Sequence, residues 1–588
     1  MPEATTCEVC GRRLHVYKSE TRTVITLAYG CLRVQEVIRF CPDGCLCKDE
    51  DRRRKLYRSE ALAALVAPRH TYGFDVVVKV GLSRFLHCRQ IEEIRAEIEG
   101  LLKRTVPEST VGDMIRQFVD LIRALHEYKV PVLRQALETA GGYVLHVDGT
   151  CEEGSQVQFA CLTGPEPIVL WSAKIDSENA LQIRGVLAEV DKRFGRPAAV
   201  IEDLSRPIRN AVKEQWPDLK IFYCHQHFLA DVGKDILGTA YNRLRAALRD
   251  GEIRPILRRF LKKVYQELGE DRQEARWICR HLADPDLRKK GRSLKASAIA
   301  GGIAEWILAA GAEGSGKRFP YDLPHLSLCL RLRSALEILD GWILPELKGR
   351  TPRGEKLLFR LRGILHTFLK SKKLARIVGQ ILEKNAIFLE LRGELRLGDT
   401  RKRAGDTDEE STRAYRSRED VREAEEALVR LREKLRREEP SGGSPARSEA
   451  SRIILKHLDD YWDGLFGHWL PIADAHRYLT VERTNNLAEL FFREVKRFLR
   501  RTSGKKKLNR EVDAFSDQML LVFNLKTPKY VERVCGSLDQ LPQAFAELVR
   551  NGKYPRRSAR SAANVILDHK TRRDGDFPRQ SARAFART

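Results

Sequence analysis

The 588-residue chain lacks any run of about 18 apolar residues. That is the length a helix needs to cross a bilayer's hydrocarbon, so no membrane-spanning segment is expected. The N-terminus, MPEATTCEVCGRR, has no apolar core either, and a secretory leader is not expected. No internal repeat is visible. Negative charge is in short supply: 81 Asp and Glu stand against 106 Lys and Arg, giving a formal net charge of +25 and a pI near 9.6. Such a surplus favours a polyanionic partner, because Lys and Arg displace counterions from phosphates. The bland alternative is a basic surface serving solubility alone.

A cytoplasmic setting makes a disulfide framework a poor reading of the thirteen cysteines. Five of them fall in Cys7-x2-Cys10 and Cys41-x3-Cys45-x-Cys47. The first pair has the spacing that lets two thiolates share a tetrahedral ion. The second pair is Cys41 with Cys45 or Cys45 with Cys47; one residue between ligands is cramped, which favours Cys41 and Cys45. Residues 1–50 therefore read as a zinc ribbon, with β-branched strand candidates between the pairs and structural Zn²⁺ on Cys7, Cys10, Cys41 and Cys45. The bland reading is a set of buried thiols. Four thiolates leave no open coordination position, so such an ion would be structural.

Residues 51–140 contain two helical patterns, CRQIEEIRAEIEGLL and TVGDMIRQFVDLIRALHEY, broken by KRTVPEST. The pair reads as a DNA-binding helix-turn-helix or as an ordinary helical hairpin. Residues 141–239 then follow the order βββαβαβα. GGYVLHVDGT, QVQFACLTG and PIVLWSAKI are strands joined by tight turns, RPAAVIEDL is a fourth strand, and LKIFYCHQH is a fifth. Such an order predicts an α/β core built on a mixed sheet with crossover helices. Residues 240–470 are almost wholly helical in pattern. Within them Val421, Ala424, Leu428, Leu431 and Leu435 form the seam of a short coiled coil or an intramolecular hairpin. PSGGSPARSEAS at 440–451 reads as a flexible linker. Residues 471–550 hold a basic helix, and 551–588 a basic tail with ten Lys and Arg against three Asp.

Asp148 and Asp203 each close an apolar strand. On neighbouring strands they would face each other about 5 Å apart, and two such acids repel unless a cation intervenes. Mg²⁺ suits sparse carboxylates supplemented by water and phosphate oxygens. A third acid stands in VERTNNLAELFFREVKRFLRR, where Glu489 is set among Arg493, Lys496, Arg497, Arg500 and Arg501. The bland reading of that helix is a solvated face with an i,i+4 Glu489–Arg493 pair.

The element order, LHVDGT, VIEDL and RTNNLAELFFREVKR together resemble the DDE transposases of the RNase H-like superfamily. The Cys224-x2-His227 pair in CHQH is similar to the signature of Mutator-like and related bacterial transposases; its bland reading is packing that steadies the fifth strand and the next helix. The resemblance implies an RNase H-like mixed-sheet core interrupted by a large all-α insertion, with Asp148, Asp203 and Glu489 as the catalytic, metal-holding acids. It further implies two Mg²⁺ or Mn²⁺ ions per site. Asn485, Asn486, Arg493, Lys496 and Arg497 would contact DNA, Lys496 sharing a helix face with Glu489. Where some such transposases carry Tyr and Arg ahead of the Glu, this chain has Glu482 and Asn485. The implied activity is cleavage of transposon ends and joining of the 3′-OH to target DNA. The implied partners are double-stranded DNA (terminal inverted repeats and target) and further copies of the chain, a dimer or higher, in a prokaryotic, nucleoid-associated setting. A transposase-derived DNA-binding regulator and an RNase H-like nuclease are the alternatives.

Overall fold

The computed structural model describes residues 2–42, 55–269, 272–282, 294–310, 318–343, 352–396, 417–438, 444–472 and 477–553. The chain divides into two compact units, Met1–Phe222 with His468–Thr588, and Tyr223–Gly467. Among the described residues, no helix is long and apolar enough to cross a membrane.

The first unit opens with a β-hairpin, β1 (His15–Thr26) and β2 (Gly30–Phe40), paired antiparallel from His15↔Phe40 to Thr26↔Gly30. A short third strand, β3 (Leu56–Tyr57), adds to β2. Buried Glu36 braces the hairpin, its carboxylate 2.9 Å from Arg58 and 3.4 Å from Arg22. Helices α1 (Glu60–Ala63), α2 (Phe74–Phe85), α3 (Ile91–Leu102), α4 (Glu108–Tyr128) and α5 (Val130–Thr139) follow.

The helix pair expected at 85–125 is α3 and α4. Gln90 and Glu93 form a capping box that starts α3, and Lys103 ends it in the left-handed conformation. Ile94 and Ile98 are fully buried. α4 is chiefly a core element. Its most exposed positions are Ser109, Asp113, Asp120 and Arg123. Phe118 stacks on Phe85 and meets Phe545 edge-on.

The five-stranded sheet is mixed, as the element order predicts. Its strands are β4 (Val144–Thr150), β5 (Val157–Gly164), β6 (Ile168–Ile175), β7 (Ala199–Glu202) and β8 (Ile221–Tyr223), ordered β6-β5-β4-β7-β8. β4, β5 and β6 run antiparallel in sequence, while β7 is parallel to β4. Parallel neighbours need crossovers; α6 (Ala180–Phe194) and α7 (Arg206–Gln215) supply them. Asn179 caps α6 by accepting from Gln182 N–H, and Gly195 closes it.

The fifth strand stops at Tyr223. Cys224 is the N-cap of the next helix, and CHQH belongs to that helix start rather than to the strand. The second unit is all-helical: α8 (His225–Asp250), α9 (Ile253–Leu268), α10 (Arg272–His281), α11 (Ala296–Ala309), α12 (Pro324–Ile338), α13 (Pro352–Leu369), α14 (Lys372–Glu394), α15 (Arg418–Glu438) and α16 (Pro445–Leu465). It thus begins some fifteen residues before the expected boundary at 240, because α8 is one continuous helix. The seam Val421, Ala424, Leu428, Leu431 and Leu435 is buried within the unit, where α15 packs on α14 and α16. That is the intramolecular form of the two readings. Part of the expected linker is helix: Ser444 accepts from Arg447 N–H and Pro445 occupies the first turn, a favoured start for α16.

In the first unit again, β9 (Trp469–Pro471) and β10 (Tyr478–Thr480) pair as a small ribbon. Val481 packs with Val144, Ala199, Ile201 and Phe222. α17 (Asn486–Ser503), α18 (Asn509–Ala514), a 3₁₀ segment (Asp517–Lys526), α19 (Pro528–Cys535) and α20 (Leu541–Arg550) complete it. The 3₁₀ segment covers the exposed edge of the sheet. Buried Asn524 accepts from Val169 N–H at 2.7 Å and donates to Val169 C=O at 2.9 Å, satisfying strand groups that would otherwise invite pairing. The basic tail from 554 onward lies outside the described residues.

Candidate functional site

The parallel register of β4 on β7 sets the first two acids side by side. His146 pairs with Ile201, and two residues further along both strands come Asp148 and Asp203. Both side chains are partly buried; Asp203 follows the last residue of β7, whereas Asp148 stands two residues before the end of β4, which runs on to Thr150, both toward the edge where ligands collect in sheets with crossover helices. Leu204, directly after Asp203, has φ +63°, a left-handed conformation that costs a branched residue on the order of 1 kcal/mol.

Glu489 arrives from the first turn of α17. Asn485, the residue before that helix, ties it to β4. Its Oδ1 accepts from His146 Nδ1 at 3.1 Å and its Nδ2 donates to Val147 C=O at 3.1 Å. Asn485 is fully buried, which overturns its assignment as a DNA contact. It is an anchor that places Glu489 one turn away against the strand that carries Asp148. His146 is fully buried too, and its pKa is driven down to about 4 by loss of solvation.

A fourth carboxylate joins the three. Glu178 lies between β6 and α6, at the rim. A Cβ on Gly149 would meet its Oε1 at 2.7 Å and Val157 Cγ1 at 2.8 Å, so a larger residue after Asp148 would push the Glu178 side chain aside. Burial, then Asp203, Glu178 and Glu489 together push the Asp148 carboxyl up to about 8. Burial and Asp203 raise Glu178 as well. Like charges this near disfavour the ionised form and add to the effect of burial. The ligand oxygens of Asp148, Asp203 and Glu489 do not all close within 4.8 Å of one another, so they do not form a tight single-ion cage. Glu178 was not singled out in the sequence. Its only signal there is position, immediately before a helix that follows the third strand.

Behind the strand, Glu202 is fully buried 3.5 Å from Arg209, and loss of solvation raises its carboxyl to about 7.

α17 presents its charges to solvent in the order the sequence suggests. Arg493, Arg497, Arg500 and Arg501 are exposed, Asn486 is half-buried, and Lys505, Lys506 and Lys507 continue the basic surface beyond the helix. Glu489 itself is half-buried and close enough to Asp148 to act on its carboxyl. Lys496 shares the Glu489 face as expected. It reaches the loop after β4, 3.0 Å from Glu152 Oε1 and 3.3 Å from Cys151 C=O.

In the helical unit Cys224 is buried and His227 sits in the first turn of α8. His225 is buried beside them and bonds Leu465 C=O at 2.9 Å, so it steadies the α8–α16 packing.

The N-terminal cysteines converge independently. Cys7, Cys10 and Cys41 bring their sulfurs within 4.8 Å of one another, with Cys10 and Cys41 3.6 Å apart. Gly11, at φ +71°, lets the chain turn back so that its N–H reaches Cys7 C=O, while Cys7 N–H reaches Arg12 C=O. Tyr57 of β3 places its hydroxyl 3.7 Å from Cys7 Sγ. The group could hold a metal ion such as zinc. Cys45, the expected fourth ligand, and Cys47 lie outside the described residues.

Set beside models of known protein families and beside curated proteins, the sequence matches none, and the functional reading rests on this geometry.

Proposed function

We propose that the protein is a DNA transposase of the DDE type, with an RNase H-like core, that cuts the ends of its element and joins them to target DNA. The observation that carries the reading is the gathering of Asp203, Glu178 and Glu489 about buried Asp148, from the neighbouring parallel strand, a connecting loop and a distant helix, close enough to add to the effect of its burial. The βββαβαβα order and the mixed sheet agree with it.

The donor set is all oxygen and anionic, the chemistry that hard divalent cations take together with water and phosphate oxygens. Two Mg²⁺ or Mn²⁺ ions on Asp148, Asp203 and Glu489, with Glu178 adjacent, would supply activation of the attacking oxygen and charge relief on the leaving one. The chain's own task is placement. Asn485 and His146 hold Glu489 against β4. Arg493 and Arg497 offer exposed cations to the phosphates on either side of the scissile one. Lys496, parked on Glu152, is within reach of the same strand end and can exchange that carboxylate for a phosphate.

In the first step a water oxygen bonds to phosphorus, the bond to the 3′-oxygen breaks, and that oxygen leaves as a 3′-OH. In the second, this hydroxyl attacks a target phosphodiester and a target 3′-OH departs. The joining step exchanges one phosphodiester for another and needs no external energy source. The N-terminal cysteine group, with zinc, would stabilise a small hairpin module that has little core of its own.

The test is incubation with the DNA flanking the gene and Mg²⁺, mapping every broken and joined phosphate. Cuts at the inverted-repeat ends with 3′-OH joining are expected, and Asp148→Asn should bind the ends without cutting. A wild-type protein that binds the ends and leaves every phosphodiester intact overturns the enzymatic reading in favour of a DNA-binding regulator; cutting without joining favours a nuclease.

A further inference from the structure

The helical unit carries a second cluster of chemistry. At the junction of α8, α9 and α12 an open cavity of about 410 Å³ is lined by Asn242, Arg245, Ala246, Arg249 and His325. Arg245 and Arg249 stand one turn apart on α8, both exposed. Like charges at that spacing repel by a few tenths of a kcal/mol when nothing lies between them. The cavity lining contains no carboxylate. Arg245 has no ion-pair partner among the described residues. Arg249 pairs with its neighbour Asp250 at 3.6 Å, where both are largely solvated. Of the other acids in the region, Glu252 faces Arg259 at 3.7 Å, and Asp322 lies by Tyr241, whose hydroxyl accepts from His325 N–H, without lining the cavity.

The remaining polar groups are donors as well. Arg254, at the start of α9, lies with its Nη2 3.5 Å from His325 Nδ1. A guanidinium can only donate, so Nδ1 accepts and the ring carries its proton on Nε2. Burial and the charges of Arg254 and Arg245 lower the pKa of His325, which keeps that tautomer neutral. Two guanidinium groups, an imidazole N–H and the Asn242 amide thus surround one space. A tetrahedral oxyanion with several acceptor oxygens satisfies them all. The positive surface runs on along α9, where Arg258, Arg259, Lys262 and Lys263 are exposed. A strip of that length suits a polymer of phosphates better than a single small anion.

We infer that the cavity formed by Asn242, Arg245, Arg249 and His325 is a phosphate-binding site through which the helical unit grips the backbone of duplex DNA. The inference rests on the reading of the protein as one that acts on DNA. It adds that the large helical unit is itself a DNA-holding body, using backbone contacts that position the duplex without reading sequence.

The test uses the full-length protein, a fluorescently labelled 40-base-pair duplex of arbitrary sequence, and anisotropy titrations across a range of KCl concentrations. Each phosphate contact contributes about 0.9 to the slope of log K against log salt. The double variant R245E/R249E should lower the magnitude of that slope by about 2 and weaken binding at least tenfold. R245Q/R249Q should lower the slope similarly with a smaller loss of affinity. The control R422E/R430E reverses two equally exposed arginines that face Glu419 and Glu426 on α15, and it should leave the slope unchanged. Equal melting temperatures establish that the variants fold. A slope for R245E/R249E equal to that of the wild type, or a loss matched by the control, overturns the site. DNA-end cleavage by wild type together with an unchanged slope in the variant overturns the pocket alone. A reduced slope with no cleavage by wild type under any divalent ion overturns the transposase reading alone.

Discussion

Nδ1 of His146 and Oδ1 of Asn485 lie 3.1 Å apart although 339 positions separate them in the chain. Through this contact, and the bond from Asn485 to Val147 C=O, the helix bearing Glu489 is fastened to the strand bearing Asp148. Removing it tests the geometry directly. Asn485→Ala strands a buried N–H and a buried carbonyl, and should cost about 2–4 kcal/mol in urea unfolding. In protein that remains folded, end cleavage should drop at least 100-fold while end binding changes less than threefold. Wild-type cleavage by the folded variant sinks the anchoring role.

Asp148 makes stability depend on pH. Its carboxyl lies near 8 in the fold against about 3.8 when free, so the folded state holds the proton more tightly. That contribution is full below about pH 4 and is lost as the pH rises through about 8. Without added divalent ion, unfolding free energy should fall by about 2 kcal/mol over this window after allowing for solvent screening. Asp148→Asn should flatten the dependence. Denaturant melts at pH 5 and pH 8 decide it, and an unchanged profile in the variant refutes the assignment.

Divalent ions should relieve the same repulsion. Added Mg²⁺ should raise the melting temperature more at pH 8 than at pH 5, since protonated acids do not compete for it. Glu178→Gln removes one charge from the cluster and should weaken the Mg²⁺ dependence of melting about three- to tenfold. If Glu178→Gln leaves the Mg²⁺ titration where it was, Glu178 has no part in the site.

Cys10 separates metal binding from packing, because it is exposed whereas Cys7 and Cys41 are buried. Cys10→Ser should therefore abolish bound zinc, measured by elemental analysis of protein purified in zinc. It should also speed proteolysis within residues 1–42. Retained zinc with native protease resistance would falsify the cysteine site.

Several features were legible because local patterns carry them. The apolar runs before Asp148 and Asp203 mark strands, though β4 runs two residues past Asp148, and turn residues between the first three strands imply antiparallel pairing. The capping signals of α3 and α6 mark their starts. Others were not. Asn485 sits in a motif that suggests DNA contact, and only its burial reveals an anchor. Glu178 has no motif, and its place near Asp148 follows from the path of the chain after the third strand. α4 has the period of a solvent-facing helix on one side, yet the aromatic cluster around Phe118 covers most of it.

Sequence by itself determined which segments are strands and helices, the polarity of their faces, and the surplus of positive charge, because these follow from side-chain periodicity and composition over a few residues. Tertiary structure decided which distant acids share a space, which basic residues remain open to solvent, and that the seam of α15 closes on its own unit. Those outcomes depend on strand register and on burial, quantities set by the whole chain's packing and by no short stretch of it.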